Sequence, residues 1–235
     1  MIPIRDQIQS KSYPIATRGI IGVNILVFVL QMMQGENLER FIFTYGLVPA
    51  RYSMPEVAAH FTSGEQVLAL FSFMFLHGGF LHLLGNMWFL HIFGDNVEDR
   101  MGSTRFLLFY FLCGWTSGFV QLWTNWASAV PTIGASGAIA GVMGAYFVLY
   151  PHSRVLTLIP IIFIFTRIVE LPAIVLLGFW FLMQLYSAGT VAVTAGTHGG
   201  GGVAFMAHVA GFLAGVVGVF AFRKRESAWW ANTEM

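Results

Sequence analysis

Ser136 stands in Gly134-Ala135-Ser136-Gly137 at the head of an apolar, glycine-spaced run, and His208 stands in Ala207-His208-Val209-Ala210-Gly211 within another. A hydroxyl beside an imidazole is a minimal pair for acyl transfer, because the ring takes the proton as the oxygen attacks a carbonyl. Inside a bilayer a polar side chain is costly, so two that can meet there mark a functional site. A second constellation precedes them: His77, His82 and Asn86 in His77-Gly78-Gly79-Phe80-Leu81-His82-Leu83-Leu84-Gly85-Asn86. His82 and Asn86 are four apart and share one helix face. An amide and an imidazole aimed at one point can donate to a developing oxyanion, or they can cross-link two helices. His77 falls off that face and reads as a loop anchor. His60, His91, His152 and His198 read as solvated or interfacial side chains.

The elements that position these groups must lie in a membrane. Hydrophobic residues make up 57% of the 235 and charged residues only 10%, with a mean hydropathy of +0.71, whereas soluble domains carry about 25% charge. The chain therefore reads as a polytopic membrane protein. A net charge of +1 argues against a nucleic-acid partner. The single cysteine, Cys113, excludes an internal disulfide and a Cys-rich metal site. Residues 1–18 are polar and no small-residue cleavage site follows the first apolar run, so the first span is expected to be uncleaved.

Charge-free intervals count the spans. Residues 19–35 give the first, and 66–94 hold a second that can begin well inside the interval. Residues 106–153 are 48 uncharged positions, enough for two spans divided at Thr124, Asn125, Ser128, Pro131 and Thr132. Residues 171–222 hold two more, divided by Ser187 to Gly202. The 12 positions between Arg154 and Arg167, interrupted by Pro160, are too few to cross and predict an interfacial or re-entrant loop. The expectation is an all-α membrane protein: a cytoplasmic segment 1–18, a six-span domain 19–222 with a membrane-associated outer loop between spans 1 and 2, and a cytoplasmic tail 223–235. With both termini inside, ten Lys and Arg residues are cytoplasmic and only Arg40 and Arg51 lie outside.

Ser136 lies 18 residues before Arg154 and His208 lies 15 before Arg223, so both sit roughly 22–27 Å above the inner face. The fourth span begins at the serine, which requires the 124–135 segment to dip beside protein or a water-filled cavity. Small residues let the two helices approach: Gly137, Gly141 and Gly144 on one, and on the other Ala204, Gly211, Gly215 and Gly218, in one stripe with His208. Facing stripes would bring hydroxyl and imidazole within reach.

His82-x-x-x-Asn86, Gly134-Ala135-Ser136-Gly137 and Ala207-His208-x-x-Gly211, in that order on the second, fourth and sixth spans, make the chain resemble a rhomboid family intramembrane serine protease of the six-span bacterial type. The resemblance runs from about residue 70 to about residue 220. It implies a Ser136–His208 dyad without an acidic member, which cleaves single-span membrane proteins near the outer surface. It implies that Asn86, His82 and the Ser136 N–H bind the oxyanion, and that His77 and Gly134 are structural near the site. It also implies a bacterial inner (plasma) membrane, and offers the outer-loop segment and the fifth span, with Phe179, Trp180, Phe181 and Met183, as a gate; lipid-facing bulk explains the same residues. Two positions depart from the family. Ala140 stands where some members pack an aromatic ring on the histidine, and the first outer loop has Arg51 in place of a Trp-Arg pair.

No acidic residue falls in a span at the depth of the dyad, so packing alone is expected to hold the imidazole. Gly-x-Ser-x-Gly is absent, since position 138 is Ala, and an α/β-hydrolase is excluded. A histidine-built metal enzyme or transporter would want a His-Glu-x-x-His or carboxylate support, and has neither. The expectation is therefore no metal and no cofactor. The alternative is a catalytically silent relative that keeps the fold and binds transmembrane segments.

Overall fold

A computed structural model describes residues 1–162, 165–194 and 204–224. Strand β1 (Ile2–Asp6) precedes helix α1 (Ile15–Met32), which starts four residues before the expected boundary at 19. The outer loop that follows carries α2 (Leu38–Tyr45), α3 (Ala50–Ser53), α4 (Pro55–Ala58) and α5 (Ser63–Ser72). Then come α6 (Phe80–Met101), α7 (Ser103–Thr124) and α8 (Ser136–Leu149). Strands β2 (Arg154–Ile162) and β3 (Phe165–Pro172) lead to α9 (Ala173–Thr194) and α10 (Phe205–Phe222).

Among the described residues, α1, α7, α9 and α10 are each long and apolar enough to cross a membrane. Helices α5 and α6 pass the same test as a pair bent by 73°. Helix α8, of 14 residues, is the short sixth member. The protein is a multi-pass integral membrane protein. Val23, Leu26, Leu108, Phe119, Leu213 and Val217 are all exposed, and a helix as apolar outside as inside has its outer face toward lipid.

Helix α8 packs against α6, α7, α9 and α10, and every residue from Gly137 to Tyr146 is buried. Its glycines let this happen. A Cβ on Gly211 would run into the Gly137 carbonyl, and one on Gly215 into that of Gly141, so the two stripes do face each other. At the far end of the bundle the buried Glu98 accepts from the Ala16 and Thr17 amides at 2.9 and 2.8 Å and from Ser103 Oγ at 2.6 Å. That ties the start of α1 to the α6–α7 turn, with an anion at a helix N-terminus.

Two expectations need correction. The 155–166 segment, expected to be an interfacial or re-entrant loop, is built of strands: β2 and β3 pair antiparallel, and β1 joins them in the order β1-β2-β3. Strand pairing satisfies the backbone groups of the segment without calling on water. The Ser187 divider is also displaced, because α9 runs on through Thr194. The second span starts at Phe80, after a break at Leu76–Gly79 and well inside the 66–94 interval, as expected. His198 and residues 225–235 lie outside the described residues. His152 sits at the turn after α8, and His91 is on an exposed face within α6.

Strand β1 delivers Asp6 to the end of α8. Its carboxylate accepts from the Tyr146 hydroxyl at 2.7 Å and from Asn96 Nδ2 at 2.8 Å. Burial pushes the Asp6 carboxyl up to about 6 from 3.8; the Tyr146 hydrogen bond opposes the rise and the Asp95 carboxylate adds to it. Between those values the folded chain holds a proton that the unfolded chain has lost, so this contribution is complete below the lower value and disappears as pH rises through the upper one. Thermal midpoints of wild type and Asp6→Asn, measured from about pH 4 to about pH 7, should show the wild type losing ground to the variant as pH rises. Parallel curves would remove Asp6 from the titrating groups.

Candidate active site

Helix α8 begins at Ser136, so the serine occupies a first turn whose N–H groups have no partner within the helix. Gly134, two residues earlier, has φ 127°, a conformation side chains disfavour, and its N–H donates to the Phe73 carbonyl at 2.8 Å. The connection is pinned further by Leu47 and Thr132, which pair antiparallel. Opposite, α10 presents His208. Its Nε2 lies 2.8 Å from Ser136 Oγ. Both side chains are only partly buried, so the pair is anchored yet reachable.

The second constellation converges on the same point. A Cβ added to Gly134 would lie 2.9 Å from His82 Nε2 and 3.7 Å from Asn86 Nδ2. Only glycine admits these side chains to the backbone beside the serine. The Gly78 N–H donates to His82 Nδ1 at 3.2 Å, which assigns the lone pair to Nδ1 and leaves Nε2 as the N–H donor of a neutral ring. That donor is the atom a Cβ on Gly134 would meet first. Asn86 is buried, and its Nδ2 has no hydrogen-bond partner among the described residues. Two donors thus point at one spot, and one of them is unspent.

His77 is fully buried in the break before α6. Both halves of the Gln31 amide from α1 hold its backbone: Gln31 Nε2 donates to the His77 carbonyl at 2.6 Å, and the His77 N–H donates to Gln31 Oε1 at 3.1 Å. The His77 ring stands edge-on to His82 at 5.1 Å. It buttresses the second constellation without reaching the serine. In the outer loop Arg51 is buried, donating to the carbonyls of Phe43 and Thr44 and lying 3.6 Å over the Phe61 ring. It organises the loop.

Residues 64–225 match the family model described as the Rhomboid domain, well over half of the chain. The chain belongs to the rhomboid family. That family includes serine proteases. Among its relatives, "Rhomboid protein 1, mitochondrial" of Saccharomyces cerevisiae is 28% identical over 58% of this chain and 37% of that protein. "Presenilin-associated rhomboid-like protein, mitochondrial" of Homo sapiens is 30% identical over 67% of this chain and 38% of that protein. "RHOMBOID-like protein 5" of Arabidopsis thaliana is 38% identical over 32% of this chain and 25% of that protein. The chain therefore spans less than two-fifths of the length of these curated relatives. They are mitochondrial and plant proteins, so they lend no support to the bacterial type or to a bacterial inner membrane.

Packing is not all that holds the imidazole of this rhomboid. Gln184 of α9 places Oε1 2.8 Å from His208 Nδ1, and the Trp180 ring lies 6.0 Å from the imidazole at 35°. Trp180 thus sets an aromatic ring beside the imidazole, which Ala140 does not. Phe181 stacks on Phe212 at 4.7 Å, while Phe179 and Met183 are exposed. The signal for Gln184 was present in the sequence: it is the one amide in the apolar run of α9.

Proposed function

We propose that this rhomboid is an intramembrane serine endopeptidase that hydrolyses peptide bonds of single-span membrane proteins. The observation that carries the reading is the 2.8 Å contact between Ser136 Oγ and His208 Nε2 on facing glycine stripes. Ser136 Oγ attacks the scissile carbonyl carbon as Nε2 takes its proton; the imidazolium then gives that proton to the leaving amine, leaving an acyl-serine. Water, deprotonated by Nε2, releases the acid and restores the serine. The carbonyl oxygen becomes anionic in both steps, and the Ser136 N–H, His82 Nε2–H and Asn86 Nδ2–H are the donors in reach of it. The reaction calls on no metal or cofactor.

Purified full-length chain should cleave a generic single-span substrate, and Ser136→Ala should not. A fluorophosphonate probe should label wild type and spare Ser136→Ala. A wild type that neither cleaves nor labels would instead be a silent relative that binds transmembrane segments.

Lysine and arginine counts support both termini on one, cytoplasmic side, with residues 36–65 opposite. A cysteine introduced in 36–65 should react with an impermeant maleimide in intact cells, and one at either end should not. Labelling at the C-terminus would require an odd number of crossings.

A further inference from the structure

We propose that Gln184 is a positioning residue for the Ser136–His208 pair: its amide oxygen accepts from His208 Nδ1–H and so commits the Nε2 lone pair to the serine hydroxyl. The inference rests on the hydrolase reading above.

A neutral imidazole carries one proton on one of two nitrogens, and only the form with its proton on Nδ1 can accept from Ser136. An acceptor at Nδ1 selects that form. Gln184 Oε1 is 2.8 Å from Nδ1, while Nε2 is 2.8 Å from Ser136 Oγ, so the three residues are in series across α9, α10 and α8. Around Gln184 the side chains of Leu182, Met183, Leu185 and Tyr186 are exposed. An amide among them is unfavourable in hydrocarbon unless it is paired, and His208 is the partner it meets. Trp180, one turn earlier on α9, limits the ring from its face. Tautomer and tilt are therefore both set from α9. When the ring becomes cationic in the transition state, the bond to Oε1 is charge-assisted and strengthens, so its contribution falls on catalysis more than on substrate binding.

The test uses the full-length chain with a single-span substrate, Ser136→Ala as the blank, and three variants: Gln184→Met, Gln184→Asn and Gln184→Glu. Met keeps the bulk and removes the acceptor; Asn keeps the amide and withdraws it; Glu returns an oxygen to the same reach. Met and Asn should lower kcat about 10- to 100-fold with KM within about twofold of wild type, and slow fluorophosphonate labelling by a similar factor. Glu should recover most of both rates. If Met fails to fold, the contrast between Asn and Glu carries the same information. A merely structural glutamine would move the melting temperature and leave kcat per folded molecule unchanged, and that result overturns the proposal, as does a Glu variant as slow as Met. If wild type itself does not exceed the Ser136→Ala blank, the hydrolase reading falls and this inference falls with it; an active wild type with an indifferent Gln184 removes this inference alone.

Discussion

Ser136→Ala and His208→Ala should each reduce cleavage of a single-span substrate by roughly 10⁴–10⁶-fold, with expression retained and, for Ser136→Ala, which leaves the Gln184–His208 contact intact, a melting temperature close to wild type. The two observations behind this are separable. The 2.8 Å contact makes each side chain useless to the reaction without the other, so the double variant should be no slower than either single one. Both side chains are only partly buried, whereas the helices that carry them are joined by buried glycine contacts that neither substitution touches. Stability should therefore follow the stripes, and activity the pair. Cleavage by Ser136→Ala above background would remove the serine from the nucleophile's role.

Asn86→Ala should lower kcat by about 10²–10³, equivalent to roughly 3–4 kcal/mol of transition-state stabilisation, with KM little changed. The loss is smaller if His82 and the Ser136 N–H hold the oxygen between them. A cross-linking amide would predict a lower melting temperature instead. Nδ2 has no partner among the described residues, and a buried donor without a partner costs stability until something accepts from it. Asn86→Ala should therefore melt no lower than wild type, and a destabilised variant with normal kcat per folded molecule would sink the oxyanion role.

How much of this was legible in the sequence differs by element. The start of α8 at Ser136 and the facing stripes could be read because charge-free length and glycine spacing are local signals that a bilayer enforces. The donor pair was legible for the same reason, as four residues on a helix are one turn. The sheet was not. Its hairpin has strand-like residues, Val155, Thr157 and Ile159 against Ile168 and Val169, but an apolar run bounded by two arginines in a membrane protein reads first by its length. Its third strand is five residues paired with a segment some 150 positions away, and nothing local announces such a partner. Gln184 is less legible for a further reason: an acid is the usual partner of such an imidazole, while a neutral amide can take its place at lower desolvation cost.

Helix α8 spans about 21 Å, less than a hydrocarbon core of about 30 Å, yet from Gly137 to Tyr146 it is buried in protein. It is therefore exempt from the hydrophobic matching that governs its neighbours. In a thicker or thinner bilayer the lipid-facing α1 and α9 can tilt to suit, but the serine's height above the far end of α8 is counted along a helix buried in protein from Gly137 to Tyr146. The bundle carries its own ruler, and the membrane supplies only the medium around it.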